Sequence, residues 1–122
     1  MMRAKLQEYL ESLADRVYFQ VAPEGVAFPY VVYDFTSTNV SGEYSEFTLV
    51  DVTAWDDALD GDSTTVENLI TTVNAGLDKH ILALDDGEAA FFALNTKVYT
   101  ADGDTRLKRR TYTYEATKYE RS

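Results

Sequence analysis

The residues best suited to chemistry are the acids in the segment WDDALDGDSTTVE. Setting Gly61 as the sixth residue of a calcium-binding loop assigns acids to loop positions 1, 5, 7 and 12, namely Asp56, Asp60, Asp62 and Glu67. Loop position 3 is Ala58, which has no side-chain oxygen, and the preceding residues alternate like a strand where the motif requires a helix. We therefore predict no metal site, and interpret the segment as an acidic loop that leads into a capped helix.

A second candidate is the segment RLKRRTYTYEATKY near the end of the chain, which interleaves bases with tyrosines. This composition fits three structures: a stacking surface for single-stranded nucleic acid, a solvated strand face, or a surface that meets the acidic part of another subunit. The chain has no glycine-rich phosphate loop, and its net charge is −10. An acidic protein repels phosphate, so we disfavour nucleic acid as a specific partner.

Residue patterns typical of enzymes are missing from the sequence. There is no cysteine, and the single histidine, His80, follows a predicted helix at the end where the helix dipole favours positive charge. The nucleophile-elbow, zinc-protease and phosphate-loop motifs are all lacking. We predict that the protein is not an enzyme and binds no cofactor.

Length and composition indicate one folded domain over residues 1–122, with a flexible tail after about residue 117. An apolar content of 45% is typical of a globular core. Gln7, Glu8 and Glu11 interrupt any secretory signal, and no apolar run is long enough for a membrane span. We expect no membrane partner and assembly in a cytoplasm-like compartment.

Charge is distributed unevenly along the chain. Between Val17 and Asp78 there is no lysine or arginine, and every charged residue is acidic. Six of the eleven basic residues lie near the other end of the chain: Arg106, Lys108, Arg109, Arg110, Lys118 and Arg121. The sequence therefore predicts one acidic and one basic surface.

Hydrophobic periodicity predicts an α+β fold with the element order α-β-β-β-α-β-β. The two helices are expected at about residues 2–15 and 64–80, and the strands at about 17–22, 30–38, 47–55, 89–100 and 106–117. Residues 30–55 form a hairpin with its tip near Ser41–Gly42, and Asp102-Gly103 marks a second hairpin. We predict a mixed, mostly antiparallel sheet of about five strands, with both helices packed on one face.

The segment RVYFQVAPEGVAFPYVVYDF, preceded by a short amphipathic helix, resembles the start of the tail completion, or tail terminator, proteins of long-tailed bacteriophages. The later order is also similar: a strand FTLVDVTAW, a helix TTVENLITTVNAGLD and a strand around RLKRRTYTYEA. The resemblance covers about residues 2–117.

This resemblance implies a virion structural protein that assembles in the host cytoplasm into a ring, usually a hexamer, at the head-proximal end of the tail tube. Such a ring stops polymerisation of the major tail tube protein and presents a surface to the head-completion or connector protein. DNA passes through its channel without specific binding. The alternatives are another neck or head-closure protein, or an acidic module that mimics DNA.

Two hypotheses assign the subunit contact and the channel lining to particular residues. A cyclic ring requires two unlike surfaces on each subunit. We expect the basic residues Arg106, Lys108, Arg109 and Arg110 to face a neighbour's acidic span, which includes Asp56, Asp57, Asp60 and Asp62. Strand alternation places Arg109 on the opposite face from Lys108 and Arg110, so the four cannot all act together. Carboxylates repel DNA, so Glu43 and Glu46, or alternatively the acidic loop, are expected to line the channel.

Overall fold

The computed structural model describes residues 2–41, 45–57, 64–84, 87–100 and 107–120. Within these ranges the chain forms two helices and six strands. The helices are α1 (Met2–Glu11) and α2 (Thr64–Leu77), and the strands are β1 (Val17–Phe19), β2 (Tyr30–Ser41), β3 (Ser45–Asp57), β4 (Ile81–Ala83), β5 (Glu88–Thr100) and β6 (Leu107–Glu120). None of the helices in these ranges has the length and hydropathy needed to cross a membrane.

The strands form one sheet in the order β1-β2-β3-β6-β5-β4. Strand β1 pairs in parallel with β2, and every other neighbouring pair is antiparallel. The predicted α+β class and the mixed, mostly antiparallel sheet are confirmed. The sheet has one strand more than predicted, because β4 has only three residues, too few to show a period of two.

Both helices cover the same face of the sheet. The Tyr33 hydroxyl on β2 donates a 2.7 Å hydrogen bond to Gln7 of α1, and the Tyr114 hydroxyl on β6 donates one of 2.7 Å to Asn74 of α2. Tyr33 and Tyr112 both lie opposite Val52 of β3, and directly opposite residues share a face. Tyr112 and Tyr114 share a face in turn, because they are two residues apart on one strand.

The core lies between this face and the helices. Every second residue of the central part of β3 belongs to the core: Val50, Val52 and Ala54 are buried. The helices contribute the apolar positions expected from helical spacing, namely Leu6 and Leu10 from α1 and Val66, Ile70, Val73 and Leu77 from α2.

The hairpin of β2 and β3 is confirmed, with pairing from Tyr30↔Trp55 to Ser41↔Ser45 and a register shift between Phe35 and Ser37. Its tip, at residues 42–44, lies outside the described residues, as does the turn predicted at Asp102-Gly103. Strand β6 continues to Glu120, past the end predicted near residue 117.

The segment after α2 attaches the helix to the sheet. The helix was predicted to reach His80 but ends at Leu77, and Lys79 has a left-handed backbone with φ of 66°. The Lys79 amide donates to the Phe92 carbonyl of β5, and the Asp78 carboxylate accepts from the Leu94 amide beside a register shift in the same strand. These bonds hold the end of α2 against β5.

Helix α1 makes contacts near both edges of the sheet. Gln7 donates to the Val17 carbonyl of β1, and Tyr9 donates to the Gly76 carbonyl of α2. The Tyr9 ring stacks on His80, just before β4, with ring centroids 3.9 Å apart. Because β1 and β4 are the two edge strands, α1 ties both sheet edges to the core.

Candidate functional site on the open sheet face

The sheet face opposite the helices, here called the open face, is covered by neither α1 nor α2. Alternate residues of the central strands lie on it, and those that carry its polar groups are half-buried: Asp34, Asp51, Thr53, Thr111 and Thr113. Antiparallel sheets commonly leave one face polar and accessible. Among the described residues, this face is therefore a surface that a partner could contact.

One end of the open face carries a continuous stack of rings and a cation. The Phe28 and Tyr30 rings are 5.1 Å apart, and Tyr30 stacks on Trp55 at 6.4 Å with an interplanar angle of 22°. The Arg109 guanidinium lies 5.1 Å from the Trp55 ring centre. We call Phe28, Tyr30, Trp55 and Arg109 the aromatic surface. Burial, followed by the neighbouring Tyr18, raises the pKa of Tyr30, which keeps its hydroxyl neutral.

A shallow groove of about 220 Å³ lies beside this stack, between Trp55 and the Asp34–Asp51 pair. These two carboxylates are directly opposite each other in the β2–β3 register. Gln20 donates to Asp34 at 3.3 Å, and Thr113 donates to Asp51 at 2.7 Å. The groove therefore presents acceptors supported by neutral donors, an arrangement suited to binding through hydrogen bonds and charge.

The predicted basic residues are divided between the two faces, as strand alternation requires. Arg109 lies on the open face over Trp55, whereas Arg110 forms an ion pair with Glu67 of α2 on the helix face. Lys108 shares the helix face and is opposite Asp56 in the β3–β6 register. Arg106 lies outside the described residues. The structure thus does not bring the three described residues, Lys108, Arg109 and Arg110, together on one surface.

The predicted acidic residues occupy equally different settings. Asp56, the last residue but one of β3, is only 8% exposed, and Asp57, which ends the strand, is half-buried. Glu46 lies in β3, in register with Lys118. Asp60, Asp62 and Glu43 lie outside the described part of the chain.

The other chemical candidates have structural roles. Asp56 belongs to a strand and Glu67 pairs with Arg110, so the first and last residues of the calcium pattern are engaged elsewhere. In the ranges that the structure describes, no three acidic or histidine side chains are grouped as metal ligands. His80 stacks on Tyr9, and burial lowers its pKa.

Two of the three tyrosines in the base-rich segment are not available as a stacking surface for nucleic acid. Tyr112 and Tyr114 are buried against the helices. The rings of the aromatic surface are instead those of Phe28, Tyr30 and Trp55, which no motif in the sequence singles out. Alternation assigns Tyr30 and Trp55 each to one face of its strand, but no pattern in the sequence shows that the two rings would meet Arg109.

Comparison with known proteins agrees with this architecture. Among solved structures, a chain of the structure described as "Virion of native gene transfer agent (GTA) particle" has a TM-score of 0.77 and 17% identity. The match covers 97% of this chain and 94% of that chain, and at this identity it shows a shared fold. No curated protein sequence matches the chain significantly.

A family profile gives the more specific result. Residues 2–119 match the family described as "Tail completion protein gp17". The match spans nearly the whole chain and confirms the resemblance found in the sequence. The chain therefore belongs to the tail completion protein gp17 family and is a structural protein of a phage-type virion tail.

Proposed function

We propose that this protein forms a ring, most simply a hexamer, at the head-proximal end of the tail tube. The ring ends polymerisation of the tube protein and presents the surface to which the head connector binds. The observation that carries this proposal is the family match over residues 2–119, because tail completion requires a component that acts where the tube stops. The role is structural and needs no catalytic group.

The architecture supports a ring because it provides unlike surfaces. One sheet face is covered by α1 and α2, whereas the open face carries an aromatic surface at one end and carboxylates beside it. A cyclic assembly uses heterologous contacts, in which one surface of a subunit binds a different surface of the next. A subunit with two equivalent faces would not meet this requirement.

Contacts within the chain reduce the number of charged residues available for a neighbour. Arg110 is engaged by Glu67, and Asp56 is almost fully buried. We therefore assign the contact between the basic strand and a neighbour's acidic span to Lys108 and Arg106. Its acidic counterpart would be Asp60 and Asp62. Arg109 lies on the opposite face of the strand and is not part of this contact.

A different set of acidic residues would line the channel of the ring. Glu46 lies near the described end of the β2–β3 hairpin, where it is in register with Val40. This end of the hairpin, together with Glu43 three residues earlier in the sequence, would line the lumen. Carboxylates there repel DNA phosphates, so DNA passes without being held. Glu43→Lys and Glu46→Lys variants should assemble normally but slow DNA release. If release is unaffected, the acidic loop at residues 56–62 becomes the candidate for the lining.

The capping role can be tested with purified protein and growing tail tubes. The expected result is a ring at one tube end, seen by electron microscopy, and an end to elongation at substoichiometric amounts of the protein. Binding to connector rings without any effect on tubes would instead indicate another neck protein. A soluble complex with a nuclease or polymerase would indicate a DNA mimic, and either result would contradict the proposal.

A further inference from the structure

A second exposed surface lies at the other end of the open face. Ile81 of β4 and Phe91 of β5 are directly opposite each other in the register and are 53% and 37% exposed. Their chain neighbours Leu82 and Phe92 are buried in the core, so Ile81 and Phe91 point away from the helices. Large exposed apolar side chains that share one face are typical of contact surfaces.

A half-buried acid, Glu115 of β6, lies beside this apolar pair. Phe91 is opposite Thr117, so Glu115 is its diagonal neighbour on the same face, within reach of a long side chain. Asn95 donates a long 3.4 Å hydrogen bond to the Glu115 carboxylate. We call Ile81, Phe91 and Glu115 the edge surface, because β4 is the last strand of the sheet.

The edge surface and the aromatic surface resemble each other in composition but differ in charge. Each combines apolar side chains with one charged side chain, which is Arg109 in the aromatic surface and Glu115 in the edge surface. Both charged side chains lie on the open face of β6. They are six residues apart along the strand, which is roughly 20 Å at about 3.3 Å per residue. A rigid strand cannot bring them together within one subunit.

We propose that the aromatic surface of one subunit binds the edge surface of a second copy of this chain, with Arg109 paired to Glu115 of the partner subunit. This inference rests on the proposed ring and assigns its contact surfaces. Two copies that each carry a net charge of −10 repel each other, so a stable contact must place a base against an acid. The apolar groups of both surfaces would be removed from water at the same contact, which supplies the driving force.

Charge exchange tests the pairing. Arg109→Glu and Glu115→Arg each place like charges at every contact, and each should raise the apparent dissociation constant of the ring at least about tenfold, measured by sedimentation. The double variant Arg109→Glu/Glu115→Arg restores an opposite pair and should recover most of the assembly. Lys97→Glu is the control, because Lys97 is exposed on the opposite face of β5 over Tyr112 and should leave assembly unchanged.

A second variant removes the apolar part of the contact while the charges remain. Phe91→Ser should weaken assembly to a similar extent, with the cooperative unfolding of the subunit retained, since its ring is exposed in the monomer. Unfolding curves of all variants separate a loss of assembly from a loss of folding.

The outcomes distinguish this inference from the proposed function. If both single variants form rings on tubes as the wild type does, or if the double variant recovers nothing, the Arg109–Glu115 contact is wrong and the capping role stands. If the wild-type protein forms no ring on tubes, the proposed function fails and the contact surfaces fail with it.

Discussion

Arg110 of β6 forms an ion pair with Glu67 in the first turn of α2. The same guanidinium donates a 2.9 Å hydrogen bond to the Arg109 carbonyl. Arg110 therefore connects the helix layer to the sheet, whereas its neighbour Arg109 lies on the open face over Trp55. Two adjacent arginines thus have different roles, one in the stability of the subunit and the other in its outer surface.

Removal of this ion pair should affect folding and leave assembly unchanged. The two side chains are 17% and 39% exposed, so solvent screens the pair and Arg110→Ala should lower the free energy of unfolding by about 1 kcal/mol. Chemical denaturation measures this loss, and Glu67→Gln should cause a similar one. A folded Arg110→Ala protein that fails to form rings would contradict the division of roles between the two arginines.

The Tyr114 hydroxyl should stabilise the contact between β6 and α2. It is fully buried and donates to Asn74 at 2.7 Å, so Tyr114→Phe leaves the Asn74 oxygen without this donor at a cost of about 1–2 kcal/mol. Thermal or chemical unfolding measures the change. Tyr18→Phe, on the open face, is the matched control and should cost less than about 0.5 kcal/mol. Equal losses in the two variants would contradict the assignment.

The buried Tyr114 hydroxyl should also make the protein less stable at alkaline pH. Burial, followed by Asp78 and Tyr112, raises the pKa of Tyr114 above its ordinary value of 10.0. Above that pH the unfolded chain loses the proton while the folded protein keeps it, so the free energy of unfolding falls as pH rises. Unfolding curves between pH 8 and about 11 should show a shallower decline for Tyr114→Phe than for the wild type. Parallel declines would contradict this prediction.

His80 should have the opposite effect at acidic pH, where it should make the free energy of unfolding rise with pH. Burial lowers its pKa from 6.5, so below that pH the unfolded chain binds a proton that the folded protein does not. The free energy of unfolding should therefore decrease as pH falls through this region. His80→Phe keeps a ring to stack on Tyr9 but cannot titrate, and its stability should depend less on pH between about 7 and 5. A titration of His80 by NMR with a midpoint above 6.5 would contradict the prediction.

Features with a short period were predictable from the sequence. A period of two along β3 separates Val50, Val52 and Ala54 from Asp51, Thr53 and Trp55, and the structure buries the first set and leaves the second on the open face. Helix α2 was also predictable, because its apolar residues keep helical spacing, although the helix ends at Leu77.

Contacts between distant segments were not predictable in the same way. Strand β6 inserts between β3 and β5, and this order places Arg109 over Trp55 and Arg110 beside Glu67. The distribution of charge along the sequence suggested that both arginines face a neighbouring subunit, because it does not show which residues of the same chain lie beside them. The edge surface was missed for a related reason: Ile81 belongs to a three-residue strand, and its exposure depends on which strands cover it.

The central claim, that this protein ends growth of the tail tube, is tested most directly by tail length in a virus that lacks it. Electron microscopy of infected-cell lysates would measure the length distribution and the proportion of tails joined to heads. The account predicts overlong tails without heads, and restoration of the normal length when the wild-type protein is supplied. Tails of normal length joined to heads in its absence would contradict the account.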